Sequence, residues 1–586
     1  MSKEVEGADP VKTTVSTEAF RELAASLGFP IQPQDEKDYL ELLRGVVSAV
    51  DTVQAMPAYH HPLIADDTNG RTYTVPQPSE NPLNAWSHRT VIKPTGEGLL
   101  TGKTIAYKDN VSVAGLPMTL GTQPFHLSRD KPYPISTFDA PVVSRVLEAG
   151  GTIIGTSTCE NYCMSALSFT SATGPVENPW VKGHETGGSS SGSAALVAIK
   201  SVRERRNNKT SGTIEADDLG EGVDLAVGGD QGGSIRLPAA YSGIYGLKPT
   251  HGLVPYTGLV PLHSILDHCG PMAGSVRDTA LLLSVLAGWD GLDPRMTPET
   301  PLRQHVPRYH ELLDRAVEAR RAAGLWTPTT GARGLRIGLI REAWDAPQLT
   351  PEVASAVRAA GQRFAALGGT VEDVSIPLHA MAATIFAAAC RADMPDVFLH
   401  NKPADGLSWP LPDTDPPPRD GEWYEAVNRA APTVVDNLLC GEFMRRDRQR
   451  FPLAARGKAV THVHELRAAY DAALEKGYDV LITPANPTVG MRHPSPGLGV
   501  MEKSRLALGN TWNTCAFNLT GHPGLVMPIG WGRGTGEDGG GDGGLGEGEK
   551  LPIGMQMIGK RWGEGDLFLA AAAWEIGGLG LDDDGQ

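Results

Sequence analysis

Gly228-Gly229-Asp230-Gln231-Gly232-Gly233-Ser234-Ile235-Arg236 follows directly on the strand-like run Val223 to Val227. A short β-rich run that ends among glycines reads as a strand feeding a sharp turn, because glycine adopts backbone angles that other residues avoid. In such a turn successive backbone N–H groups can point to one place and favour negative charge there. Ser234 closes the turn, so its hydroxyl is a candidate nucleophile. The N–H groups from Gln231, Gly232 and Gly233 to Ser234 are candidate oxyanion donors. Asp230 and Arg236 are expected to brace the turn through charge-assisted hydrogen bonds and to stay outside the chemistry.

Two further stretches lie upstream: Tyr107-Lys108-Asp109-Asn110, and Gly187-Gly188-Ser189-Ser190-Ser191-Gly192-Ser193. Alone, a Gly/Ser run is usually a flexible loop, and Lys-Asp-Asn is usually a solvated strand end. Together and in this order, the three stretches resemble the amidase signature family, whose hydrolases use a Ser–Ser–Lys triad. The resemblance extends over roughly residues 15 to 575. It includes Ser79-Glu80-Asn81-Pro82-Leu83, Gly174-Pro175-Val176, Gly246-Leu247-Lys248-Pro249-Thr250, Gly252-Leu253-Val254-Pro255-Tyr256 and Leu551-Pro552-Ile553-Gly554-Met555-Gln556.

The resemblance implies an α/β amidase-signature fold, with a large mixed twisted sheet covered by helices on both faces. It implies Ser234 as nucleophile, Ser189 as proton carrier following a cis peptide bond, and Lys108 as base. It implies no metal and no organic cofactor. An ordinary lysine titrates near 10.4, so Lys108 is expected to be desolvated, which penalises its charged form. Within the family the glycine-rich turn and the helical N-terminal region are similar to the bacterial nitrile-pathway, enantioselective amidases. Those act on small aliphatic and aromatic carboxamides and form homodimers. Where they carry an aromatic pocket residue this chain has Met164, either a more adaptable pocket wall or a core filler. Two alternatives keep the triad: an amidotransferase A-type subunit releasing ammonia from glutamine, and an esterase or carbamate hydrolase.

Other hydrolase designs lack their parts. No Gly-x-Ser-x-Gly elbow with a suitable histidine stands out, and no His-Glu-x-x-His occurs. Cys159 and Cys163 stand four apart and could share a helical face, yet no second Cys/His pair accompanies them. Buried structural thiols are expected there.

Composition sets the background. The 586 residues carry a formal charge of −16, which argues against general attraction to nucleic acid or anionic membranes. No apolar run is long enough to span a bilayer. Met1 to Val11 is polar, and six cysteines are too few for a disulfide scaffold. A cytoplasmic enzyme acting on a small amide is the expectation.

Residues 1–75 read as an N-terminal helical region. Ser16-Thr17-Glu18 opens one helix with a stripe at Phe20, Leu23, Ala24 and Leu27, and a second stripe runs from Tyr39 to Val50. These helices are a candidate homodimer contact. Residues 76–586 read as the catalytic domain, with short strands alternating with helices. Two surface insertions are expected within it. Residues 203–222 are charged and polar, and 532–549 are dominated by Gly, Asp and Glu. The first lengthens the chain between Ser189 and Ser234 beyond the usual family spacing.

Overall fold

Side-chain alternation along the strands decides how this chain layers. The computed structural model describes residues 15–57, 70–128, 132–209, 218–400, 419–495, 497–507, 509–533 and 549–576. Among them eleven strands form one sheet: β1 (Trp86–Ile92), β2 (Thr104–Lys108), β3 (Thr152–Ser157), β4 (Leu225–Asp230), β5 (Tyr245–Lys248), β6 (His268–Ala273), β7 (Arg336–Ile340), β8 (Thr370–Val374), β9 (Val480–Pro484), β10 (Gly524–Gly532) and β11 (Leu551–Ile558). Their order is β1-β3-β2-β4-β6-β5-β10-β11-β9-β7-β8. β2 runs parallel to β3 and β4, and β7 runs parallel to β8 and β9. Antiparallel pairs link these two parallel groups through β6, β5, β10 and β11.

Successive residues of a strand face opposite sides. Ile105 and Tyr107 of β2, Leu225 and Val227 of β4, and Leu525 and Met527 of β10 enter one apolar layer. That layer also takes Val142 and Val146, Leu282 and Leu286, Val357 and Phe364, and Phe568 from helices Pro141–Glu148, Val276–Leu286, Pro351–Ala366 and Glu564–Glu575. The intervening Ala106, Ala226 and Val526 enter a second layer, under helices Ser191–Lys209 and Arg236–Ser242. Further along the same face Ile340, Leu481 and Ile558 pack with helices Ala382–Cys390, Leu453–Glu475 and Cys515–Thr520. The central strands are buried throughout, as expected of a sheet covered on both faces. The α/β expectation holds.

Contacts divide the chain into two units, Met1–Pro62 and Leu63–Gln586. The first holds helices Thr17–Ser26 and Glu36–Ala55. Ser16 caps the former by accepting from Ala19 N–H at 3.1 Å, and Arg21 reaches Glu36 through two hydrogen bonds of 2.8 and 2.7 Å. Of the expected stripes only Phe20, Ala24 and Leu40 are buried, whereas Leu23, Leu27, Tyr39, Val46 and Val50 stay exposed.

One expected insertion differs in the structure. The helix that opens at Ser191 continues to Lys209, so the first third of the 203–222 segment is helix and not loop. Arg, Glu and Lys are good helix formers, and charge alone does not stop a helix. Residues 210–217 lie outside the described residues, as do 534–548 of the second segment, which joins β10 to β11.

Candidate active site

β2 and β4 lie side by side and parallel, and the chain leaves both at the same end of the sheet. β2 finishes on Lys108. β4 finishes on Asp230, and residues 231–235 then lead into helix Arg236–Ser242. Residues 187–190 lead into helix Ser191–Lys209 on the same face. The start of that helix is tied to β3 by the 2.7 Å contact between Ser157 Oγ and Ser193 Oγ. The three stretches therefore meet where parallel strands end and helices begin, the usual position for a ligand site in such sheets.

Lys108 is fully buried. Its Nζ donates to Ser189 Oγ at 2.7 Å and to the Gly229 carbonyl at 3.4 Å. Among the described residues no carboxylate pairs with it. Ser190 sews the stretches together. Its hydroxyl donates to the Gly229 carbonyl at 3.2 Å, and its N–H donates to the Ser234 carbonyl at 3.2 Å. The Gly188–Ser189 peptide is cis, as the family resemblance implies. Only glycine fits at 188, because a Cβ there would lie 2.6 Å from the Ser165 carbonyl and 2.8 Å from Glu160 Cγ.

Ser234 is near-buried, and among the described residues its hydroxyl makes no hydrogen bond. The N–H groups of Gln231, Gly232, Gly233 and Ser234 likewise donate to no protein acceptor among them. Gly233 has φ +144°, and a Cβ there would lie 2.6 Å from Thr514 Oγ1, whose hydroxyl donates to the Gly232 carbonyl. The loop thus has its carbonyl side held and its N–H side free.

Arg236 and Asp230 brace this loop as expected. Arg236 uses all five donors of its guanidinium: Nε and Nη2 to the two Asp230 oxygens at 3.0 and 2.9 Å, Nη1 to the Thr514 carbonyl and Gln556 Oε1, and Nη2 also to Asn518 Oδ1. Asn518 returns donors to the Asp230 carbonyl and carboxylate, both at 2.9 Å. Burial by itself would raise the Asp230 carboxyl. The Arg236 charge and these hydrogen bonds overcome that and hold it at about 2.

Three polar groups have contacts that the sequence reading does not assign: Glu160, which it leaves out, and Asp109 and Tyr256, which it quotes without a role. Glu160 is fully buried. Its N–H donates to the Ser189 carbonyl at 3.3 Å, and its carboxylate accepts from Ser191 Oγ at 2.7 Å and from Thr170 N–H at 2.7 Å. Burial pushes it up to about 7 against those hydrogen bonds. Asp109 accepts from Ser87 and Thr119 and is pushed up by burial to about 6. Tyr256 Oη accepts from Gln231 Nε2 at 2.6 Å. A lone Glu between Cys159 and Asn161 gave no signal, since nothing in its spacing relates it to Ser189.

Met164 packs with Met118, Leu120, Tyr162, Val260 and Trp423, and its carbonyl accepts from Thr433 Oγ1 at 3.2 Å. It follows a 3₁₀ turn, Asn161–Cys163, in place of the helical face that the spacing of the two cysteines allowed. Tyr162 and Cys163 take left-handed backbone angles there. Cys159 is buried, but Cys163 is only part-buried. Among the described residues no cluster of metal-ligating side chains occurs, and no helix is long and apolar enough to cross a membrane. A cavity of about 1010 Å³ lies elsewhere, lined by Ala387, Arg391, Phe443, Arg448, Leu453 and Arg456 among others, and by none of the candidate site residues.

Comparisons with known proteins identify the family. The amidase family pattern matches residues 65–204 and 220–568. An enantioselective amidase of Rhodococcus rhodochrous is 36% identical over 535 residues, covering 87% of this chain and 86% of that protein. The A-type subunit of the glutamyl-tRNA(Gln) amidotransferase of Natronomonas pharaonis is 29% identical, covering 84% of this chain and 99% of its own length. The crystal structure of peptide amidase from Stenotrophomonas maltophilia superimposes with a TM-score of 0.57 at 25% identity, over 82% and 83% of the two chains. The chain belongs to the amidase family. It is a hydrolase acting on amide C–N bonds.

Proposed function

We propose that this enzyme hydrolyses small aliphatic or aromatic carboxamides to carboxylate and ammonia through an acyl-enzyme on Ser234. The observation that carries the proposal is the 2.7 Å contact between Lys108 Nζ and Ser189 Oγ, both fully buried, with no carboxylate among the described residues pairing with the lysine. With the amine uncharged, this contact runs in reverse and Ser189 gives its proton to Nζ. Ser189 then takes the proton of Ser234 as that oxygen attacks the amide carbon. The free N–H groups of the 231–234 loop receive the oxyanion. The proton returns through Ser189 to the departing nitrogen, and water releases the carboxylate. Met164 would contribute a flexible wall to the acyl pocket. No step calls on a metal or an organic cofactor.

The similarity to an amidotransferase A-type chain supports a second substrate, glutamine, and esters would pass through the same triad with less demand on leaving-group protonation. Assaying ammonia release from acetamide, benzamide, glutamine and an aryl amide, with Ser234→Ala in parallel, separates these. Comparable activity in that variant would reject the nucleophile. The rate should rise toward alkaline pH, and Lys108→Ala should remove that limb; an unchanged profile in the variant would reject the base. The exposed stripe at Leu23, Val46 and Val50 supports homodimerisation through the N-terminal helices, which light scattering of the chain with and without residues 1–62 would test.

A further inference from the structure

Two thiols lie beside this apparatus and have no part in it. Cys159 and Cys163 bring their sulfurs to 3.8 Å. The turn between them is built at a cost, since Tyr162 and Cys163 have φ of 49° and 58°, a region that burdens residues other than glycine. Hydrogen bonds hold it there. Tyr162 N–H donates to the Leu120 carbonyl at 2.8 Å, Cys163 N–H to the Glu160 carbonyl at 2.7 Å, and Met164 N–H to the Asn161 carbonyl at 3.0 Å. This geometry folds Cys163 back onto Cys159. The inner thiol, Cys159, is fully buried and contacts the Asp109 carbonyl at 3.7 Å, while Cys163 as a residue is only part-buried.

The pair is also chemically uneven. Burial pushes the Cys159 thiol well above its usual range, whereas the hydrogen bond with Cys159 lowers Cys163 in spite of burial. A less buried sulfur 3.8 Å from a fully buried one is the arrangement of an attacking and a resolving cysteine.

We propose that Cys159 and Cys163 form a reversible oxidation site, joined as a disulfide by a hydroperoxide, and that this bond shuts down the adjacent active site. The Cys163 thiolate attacks one peroxide oxygen, the O–O bond breaks, and with one proton the first water leaves behind a sulfenic acid. The Cys159 sulfur then attacks the Cys163 sulfur, the S–O bond breaks, and the second water departs with the Cys159 proton. Two thiols are oxidised and one hydrogen peroxide is reduced to two waters. A dithiol reverses the bond by exchange.

Coupling to the active site follows from what the turn carries. A disulfide needs its sulfurs about 2.05 Å apart, so the turn must tighten. Glu160 lies within it, holding the Ser189 carbonyl by its N–H at 3.3 Å and Ser191 Oγ by its carboxylate at 2.7 Å. Moving Glu160 moves the serine that contacts Lys108.

The test treats the full-length protein with a few equivalents of hydrogen peroxide, blocks remaining thiols with N-ethylmaleimide after denaturation, and measures peptide masses and benzamide hydrolysis. The expected result is a peptide containing residues 159 and 163 that is unalkylated and two mass units light, with Cys269, Cys390, Cys440 and Cys515 alkylated. Hydrolysis falls at least tenfold, and dithiothreitol restores both readouts. Cys163→Ser and Cys159→Ser each keep untreated activity within about twofold and resist peroxide. Alkylation at both cysteines after peroxide overturns the site. A disulfide with undiminished hydrolysis, or equal peroxide loss in Cys163→Ser, overturns the coupling. Only the activity arm rests on the function proposed above; the mass arm decides the oxidation chemistry even if benzamide is not a substrate, and dithiothreitol reversal in the unaltered protein decides if a variant fails to fold.

Discussion

The strand ends around Lys108 and the helical region from Ala382 to Arg456 differ in almost every physical respect. At the strand ends the polar groups are buried, and around Asp230 and Arg236 they are tied to one another across long stretches of chain, with all five Arg236 donors used. In the helical region ion pairs such as Arg446–Glu442 and Arg456–Asp393 lie at the surface. Leu439 and Leu453 are 65% and 75% exposed, and a cavity of about 1010 Å³ opens between the helices. Buried polar networks fix one arrangement because each unmade bond is expensive there. Surface ion pairs and exposed side chains impose little. The first region has the rigidity that the proposed proton transfer needs, and the surface ion pairs of the second impose less.

Breaking the network at its reacting atoms should have the largest effect. Ser234→Ala is expected to lower kcat/KM for a small carboxamide by roughly 10⁴–10⁶-fold, with little change in Tm; retention of more than a hundredth of the activity would undo the contrast. Next, Asp230→Ala strands the Arg236 charge inside the protein. It should cost about 3–5 kcal/mol of stability, read as a reduced midpoint in urea, whereas Glu442→Ala on the helical side should move the midpoint hardly at all.

Acid should act in the same direction as the Asp230 change. The Asp230 carboxyl is held at about 2 in the fold, against an ordinary value of 3.8, so its stabilisation is present above pH 3.8. It is lost as pH falls from there through 2, amounting to ~2 kcal/mol. Asp230→Asn should flatten that part of a stability-against-pH curve, and an unchanged acid slope would remove Asp230 from the account.

A subtler test concerns Glu160. Glu160→Gln keeps the volume but cannot accept from both Thr170 and Ser191 in the same way, so kcat should fall roughly 10–100-fold with folding intact. Smallest of all, Phe443→Ala at the cavity rim should leave acetamide hydrolysis within about twofold. A tenfold loss there would show that the two regions are not separable.

How much of this was legible depends on the distance over which a contact acts. The turn from Gly229 to Arg236 could be read because its first causes are local: glycines permit it, and the Asp230–Arg236 ion pair that braces it spans six residues. The alternation of short strands with helices was visible through side-chain periodicity. β6 was missed because Cys269-Gly270-Pro271 looks like a breaker. In the sheet it pairs with Gly228 and Gly229, where small residues let the backbones approach. Glu160 was missed because its partners, Ser189 and Ser191, lie on a different element. The four-residue spacing of the cysteines allowed a shared helical face, and left-handed angles at Tyr162 and Cys163 leave no mark that a spacing rule can detect.

By itself the sequence determined the reaction class and the candidate reacting groups, since Lys108, Ser189 and Ser234 sit in short motifs whose chemistry depends on residue type. It also determined which side chains turn inward, because alternation along a strand is a local property. Tertiary structure alone decided who meets whom: β4 beside β2, Thr514, Asn518 and Gln556 around Arg236, Glu160 behind Ser189, and Cys163 against Cys159. A residue's pattern of hydrophobic neighbours records the face it occupies but not the partner across that face, and that partner is fixed only when the layers close.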